Sequence, residues 1–357
     1  MSTKMVSETE LPLQTGRIEA LDIAKGIGMF FVVWAHVNYT PFLLKYIYSF
    51  HMPLFFIISG ILYNKEKYSS FPHYIKRRAK TLICPYIFFY LGSLLIVFVL
   101  RVVGVGFSTT VFHEICEFFL QMFLSQGSSK VANAPLWFVP CLFAVEIMYY
   151  FISKMRRRNI VVVCCLLTFF GWLLESGCLP FNNKLLPWSL DSALFALGFY
   201  ALGNLMQSKV KNAIQQVESS KHKTLISVTT MIVCAILIVP LVYLNGKVSL
   251  GSKTLNNGFL LYTSGIFGTI GVLAAAVLLK RSKLLKFCGL NSFYIMSTHY
   301  LIRVIYRAGQ TSLGFESYDT TDFVQTIIPF IVVMTASIVF TILYNKIKNA
   351  ILNKNYT

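Results

Sequence analysis

The chain has 357 residues, 56% of them hydrophobic, 15% aromatic and only 13% charged, with a formal net charge of +18. That composition excludes an ordinary soluble domain and reads as a polytopic membrane protein. The positive charge does not read as a nucleic-acid interface, because the Lys and Arg residues fall between hydrophobic segments on alternate sides rather than on one face.

Residues 1–16 are polar and read as a short tail; they lack the basic-then-apolar order of a cleaved signal peptide. The first apolar span is expected near 24–40, with Pro41 as its stop. A second, near 48–63, contains His51 and Pro53 and is expected to be broken near its start. A basic loop follows with Lys65, Lys67, Lys76, Arg77, Arg78 and Lys80, which places it and the N-terminus in the cytoplasm. Further spans are expected near 81–103, 135–153, 160–175, 188–206, 224–244, 258–279, 288–308 and 322–345, with an interfacial helix at 111–124. The result is an all-α bundle of about ten transmembrane helices in the cytoplasmic membrane. Both termini are cytoplasmic, a membrane domain covers 17–345, and a basic tail covers 346–357. Most of the 32 basic residues then lie on the cytoplasmic side. The eight cysteines show no CxxC pair and read as small core hydrophobes, and no metal site is expected.

The first span carries the most informative pattern. At about 100° per residue, the eleven steps from Lys25 to His36 return to nearly the same face, and Asp22 lies one turn below Lys25. The rise of about 1.5 Å per residue puts His36 roughly 16 Å deeper than Lys25, near the middle of the bilayer. Intramembrane ionisable groups usually line a cavity or a reaction path. The alternative is an interfacial Asp22–Lys25 pair and a core histidine.

Other buried titratable groups are His51, Glu146, Asp191, His299 and Arg303. Glu146 reads first as the acceptor for a neighbouring Lys or Arg. Asp191 sits in the first turn of its span, where capping or the helix dipole accounts for it. His299 and Arg303 share a face and would meet an anion or an acid from another helix. Such a set suits general-base activation of a hydroxyl beside an electrophile held by cationic groups. A proton-coupled transporter would use the same residue types, and an inert assembly subunit would not need them. Walker A, G-x-S-x-G and H-E-x-x-H motifs are missing.

Four stretches stand out in chain order. The first is Leu21-Asp22-Ile-Ala-Lys25-Gly with Lys25-x10-His36, and the second Phe50-His51-Met-Pro53-Leu-Phe-Phe-Ile-Ile-Ser59-Gly60. Pro135-Leu-Trp137-Phe-Val-Pro140 with Glu146 and Pro187-Trp188-Ser-Leu-Asp191 form the third. The last is Gly289-Leu-Asn291-Ser-Phe-Tyr-Ile-Met-Ser-Thr-His299. Together they resemble acyltransferase family 3, and most of all its fucose 4-O-acetylase-like acetyltransferases.

The resemblance implies transfer of an acetyl group from acetyl-CoA to a hydroxyl of a cell-surface glycan or lipid-linked sugar. The bundle itself would handle the acceptor, and no permanently bound cofactor is implied. His36 would be the catalytic base. Lys25 stands where many relatives have arginine, so it would act on donor phosphates as a point charge. Asp22, His51 and His299 would support catalysis, Arg77 and Arg78 would assist donor binding, and Ser59, Trp137, Glu146, Asp191 and Arg303 would contact substrate. Family members have also been assigned to export of surface polysaccharide or lipid-linked sugar, which is the rival function.

Overall fold

A computed structural model describes residues 18–37, 40–102, 111–124, 133–176, 186–314 and 323–354. Among these residues the structure is helical, with one isolated antiparallel bridge between Ser249 and Thr254 and no extended strand. The expected polytopic all-α membrane protein is what the chain forms. Among the described residues, eight helical segments are long and apolar enough to cross a bilayer.

Helix α1 spans Glu19–Val37 and begins with Glu19 and Asp22 in its first turn, where acidic side chains complement the dipole. Pro41 does more than stop it. As the first residue of α2 (Pro41–Tyr48) it starts the next helix, a position where its missing N–H costs nothing. A turn at Ser49 and Phe50 then separates α2 from α3 (His51–Leu62), so the break expected near the start of the second segment is present.

The expected cytoplasmic loop over 64–80 is largely helical. Ser70 Oγ accepts from His73 N and Pro72 occupies the first turn, so α4 (Phe71–Arg78) starts well before the expected span. It continues through a π-helical turn, Ala79–Ile83, directly before Pro85, into α5 (Cys84–Val102). The wider turn accommodates a residue that lacks the N–H of the regular ladder. Helix α6, Val111–Leu124, lies where an interfacial helix was expected. At 14 residues it is too short to span, and it packs on α5 through Phe118 against Tyr90, with ring centroids 4.5 Å apart.

The rest of the chain adds α7 (Phe138–Ile152), α8 (Arg157–Glu175), α9 (Leu190–Leu205), α10 (Gln207–Ser219), α11 (Lys223–Asn245), α12 (Gly258–Leu278), α13 (Lys283–Leu290), α14 (Ser292–Ser312) and α15 (Phe323–Lys354). The segments expected as spans near 188–206 and 288–308 are α9 and α14. Helix α9 has only 16 residues, and α14 carries His299, Arg303 and Arg307, so neither is among the eight long apolar segments. Helix α15 runs through the start of the expected C-terminal tail as far as Lys354, because nothing between 345 and 354 interrupts it.

Burial sorts the helices into two shells. The apolar windows of α1 and of Ala134–Ile152 are 67% and 83% buried, whereas those of Phe71–Val99, α8 and α11 are each 22% buried. The first group forms the interior, and the second presents apolar side chains such as Leu95, Leu166 and Ile236 outward, as a lipid-facing wall does. Close approach inside depends on small residues. A Cβ at Gly60 would strike the Tyr200 carbonyl, and one at Gly203 would strike that of Ile57, so α3 and α9 meet backbone to backbone. Asn204 closes the same contact, donating to Gly60 O at 3.2 Å and accepting from Tyr149 Oη at 2.8 Å.

One end of the bundle gathers basic residues. There Glu19 pairs with Lys286 and Glu218 with Lys280, beside Lys223, Arg281 and Lys283. At the other end the connection between α11 and α12 folds back onto Trp172, Asp191 and Ser192.

Candidate active site

The interior helices enclose a cavity of about 190 Å³. From α1 it takes Lys25, Met29, Val32 and His36, positions that recur once per helical turn or two, as the stripe in the sequence predicts. From the α2–α3 break it takes Tyr48, His51, Phe55 and Ser59, and Pro135, Trp137 and Phe138 close another side. Lys25, His36, His51, Ser59 and Trp137, five of the residues singled out from sequence, therefore share one chamber.

Each imidazole is fixed differently. His51 donates Nδ1–H to Ile47 O at 2.8 Å, and Tyr48 meets its ring edge-on at 4.9 Å between centroids. A carbonyl only accepts, so Nδ1 holds the proton and the neutral ring keeps its lone pair on Nε2. This backbone bond crosses the break between α2 and α3, so the turn that interrupts the span also sets the tautomer. His36 packs against His299 at 5.1 Å and against Tyr300 at 6.0 Å, measured between ring centroids. His299, fully buried, donates Nδ1–H to Ile295 O at 3.1 Å, and Arg303 lies 5.6 Å from the Tyr300 ring. His299 and Arg303 thus form a layer behind His36 on α14.

The remaining candidates lie elsewhere. Asp22 pairs with Lys25 at 2.9 Å, behind the cavity wall. Arg78 and Glu146 form a two-pronged ion pair between α4 and α7, and Tyr74 Oη donates to Glu146 O at 3.1 Å. Glu146 is thus paired with Arg78, which points into the bundle. Arg77 turns outward over the Tyr68 ring, 5.7 Å from its centroid. Asp191 does not cap its helix end alone: it accepts from Ser192 N at 2.8 Å and forms a buried ion pair with Lys253.

Sequence reading missed one wall of the cavity. Ser249, Leu250, Gly251 and Ser252, from the connection between α11 and α12, line it together with Ser292 and Met296. A stretch of Ser, Gly, Lys and Asn between two spans reads as an ordinary turn, and no periodicity marks it as buried. Cys141, Cys164, Cys234 and Cys288 are buried as expected of small core residues, whereas Cys84, Cys116 and Cys165 are exposed; Cys178 lies outside the described residues.

A cavity inside a helical membrane bundle, with a lysine at one end and two imidazoles further in, has the parts of a site for group transfer: a cation, lone-pair nitrogens and shelter from water. The class this defines is a polytopic membrane protein with a sheltered polar site inside its bundle. The chain matches the family model described as an acyltransferase domain, that of acyltransferase family 3, over residues 18–346, and it belongs to that family. No curated protein and no solved structure matches it significantly.

Proposed function

We propose that the protein is an O-acetyltransferase that moves an acetyl group from acetyl-CoA to a hydroxyl of a surface glycan or lipid-linked sugar. The observation that carries this reading is the convergence of Lys25, His36 and His51 on one cavity. The basic end marks the cytoplasmic side by the positive-inside rule, so acetyl-CoA arrives there with its anionic part near Lys25. The cavity then leads the acetyl thioester toward the imidazoles.

The step balances simply. His36 takes the proton of the acceptor hydroxyl as its oxygen forms the new C–O bond to the acetyl carbonyl. The C–S bond breaks, and the proton passes from the imidazolium to the departing CoA thiolate. His51, with Nε2 as its acceptor nitrogen, accepts from a second hydroxyl of the acceptor and so orients the one that reacts. The backdrop of His299, Tyr300 and Arg303 fixes the plane of the His36 ring. Lys25, partly neutralised by Asp22, holds the donor as a point charge.

Mass spectrometry of the surface glycans of producing cells, with and without the gene, tests the reading. Loss of an acetyl increment from a saccharide is expected. An unchanged acetylation pattern together with a loss of glycan export would overturn the proposal.

A further inference from the structure

The connection between α11 and α12, residues 246–257, has to join two helices that pack along their length, which a short surface turn would do. It does something else. Ser249 N donates to Thr254 O at 2.7 Å and Thr254 N to Ser249 O at 2.9 Å, so residues 249–252 form a tip that reaches the cavity. Ser252 N donates to Ser249 Oγ at 3.1 Å, and Lys253 and Asn256 adopt left-handed backbone conformations at φ 56° and 51°. Both are uncommon for residues with a Cβ.

Several independent contacts hold the tip in place. Lys253 forms an ion pair with the fully buried Asp191. Ser192 Oγ lies 2.9 Å from Leu250 O and 2.8 Å from Glu175 Oε1. Trp172 Nε1 donates to Asn256 O at 3.0 Å, while Asn256 Nδ2 donates to Asn245 O at 2.6 Å. The start of α9 is itself strained, with Trp188 and Ser189 at φ 57° and 49°. Loops normally run over the surface, and desolvating an ion pair is costly, so a loop that is pinned inward by one and bounded by strained backbone marks a working part.

The tip also meets the one tryptophan of the cavity lining. A Cβ on Gly251 would come within 2.5 Å of Trp137 Nε1, so only glycine lets this backbone lie against the indole. The chamber wall here therefore combines an aromatic face with two serine hydroxyls, Ser249 and Ser252. That combination fits the mixed C–H and O–H surface of a sugar ring. Lys25 occupies the other end of the same cavity.

From this geometry we infer that the 249–252 tip and Trp137 form the acceptor subsite, a saccharide-binding wall opposite the donor end, with Lys253–Asp191 as its positioning pair. This inference rests on the acetyl-transfer reading, and it divides the cavity between two substrates that enter from opposite ends.

The experiment uses the full-length protein in nanodiscs. The probe is the producing cells' surface polysaccharide, stripped of O-acetyl groups by mild base, with labelled acetyl-CoA as donor. Ser252→Ala and Gly251→Ala should raise KM for the polysaccharide at least fivefold, with KM for acetyl-CoA within twofold of wild type. Asp191→Ala should shift the same constant, and Asp191→Glu should restore it in part, which a general loss of folding would not do. A second measurement needs no turnover. Ser252→Cys should react with a membrane-impermeant maleimide above the wild-type background, and the polysaccharide, but not acetyl-CoA, should slow that reaction at least threefold. An acceptor KM unchanged in both variants, equal shifts in both KM values, or protection by acetyl-CoA alone would overturn the subsite. Absence of acetyl transfer by the wild-type protein would instead count against the proposed function, while the maleimide reaction would still judge the tip.

Discussion

His36 and His299 face each other across the contact of α1 with α14, their ring centroids 5.1 Å apart and their planes inclined by 44°. His299 uses Nδ1 on its own helix, at Ile295 O, and stands behind His36 as seen from the cavity. On the proposed acetyl-transfer reading, this relationship casts His299 as a positioning residue. His299→Ala should lower kcat about tenfold, a loss of about 1.4 kcal/mol in transition-state stabilisation, with both KM values little changed. Steady-state kinetics on the purified variant decides this. A rise in KM for acetyl-CoA would place His299 at the donor instead.

Lys25 faces the cavity and is paired with Asp22 at 2.9 Å. Replacing it with Ala should raise KM for acetyl-CoA about tenfold, the scale of one lost charge-assisted contact, whereas Lys25→Arg should keep most of the affinity. Titration of donor binding at two salt concentrations checks the claim, because the wild-type affinity should fall with salt more steeply than that of Lys25→Ala.

Arg78 and Glu146 hold α4 against α7 through a two-pronged pair. Glu146→Ala leaves the guanidinium inside the bundle without its acceptor and should destabilise the fold by about 3–5 kcal/mol. The double variant with Arg78→Ala should lose less than the sum of the two single changes. Thermal unfolding in detergent, read by tryptophan fluorescence, measures both.

Much of this architecture was legible in the chain. The Lys25-to-His36 stripe follows from helical periodicity alone, and the structure places both residues on the same cavity. The break before Pro53 was legible for a similar local reason. The Asp22–Lys25 pair was legible from its i, i+3 spacing and Glu146 was readable as an acceptor, but its partner was not, because Arg78 sits in a basic run on a helix far away in the chain. The helical run from Phe71 into α5 was hidden because its basic residues read as loop, although Ser70 and Pro72 are helix-start signals. The tip at 249–252 left no signal, since its inward position depends on contacts with Asp191, Ser192 and Trp172 that no local pattern encodes.

Two glycines offer a test of the packing. Gly60 lies against the Tyr200 carbonyl, and Gly92 has nothing within 4 Å of its Cβ position. Gly60→Ala should destabilise by about 1–3 kcal/mol by forcing α3 from α9, and Gly92→Ala should be neutral or stabilise by up to about 1 kcal/mol through helix propensity. Parallel melting curves of the two variants separate these outcomes.

On the proposed reading, His36 drives transfer of the acetyl group to a hydroxyl within this cavity. The direct measurement is single-turnover transfer from labelled acetyl-CoA to de-O-acetylated surface polysaccharide, comparing wild type with a His36→Ala variant of equal melting temperature. The wild-type protein is predicted to release one CoA per alkali-labile acetyl ester formed, and the variant to be slower by a factor of about 10² to 10⁴. Transfer by the variant at the wild-type rate would contradict the account.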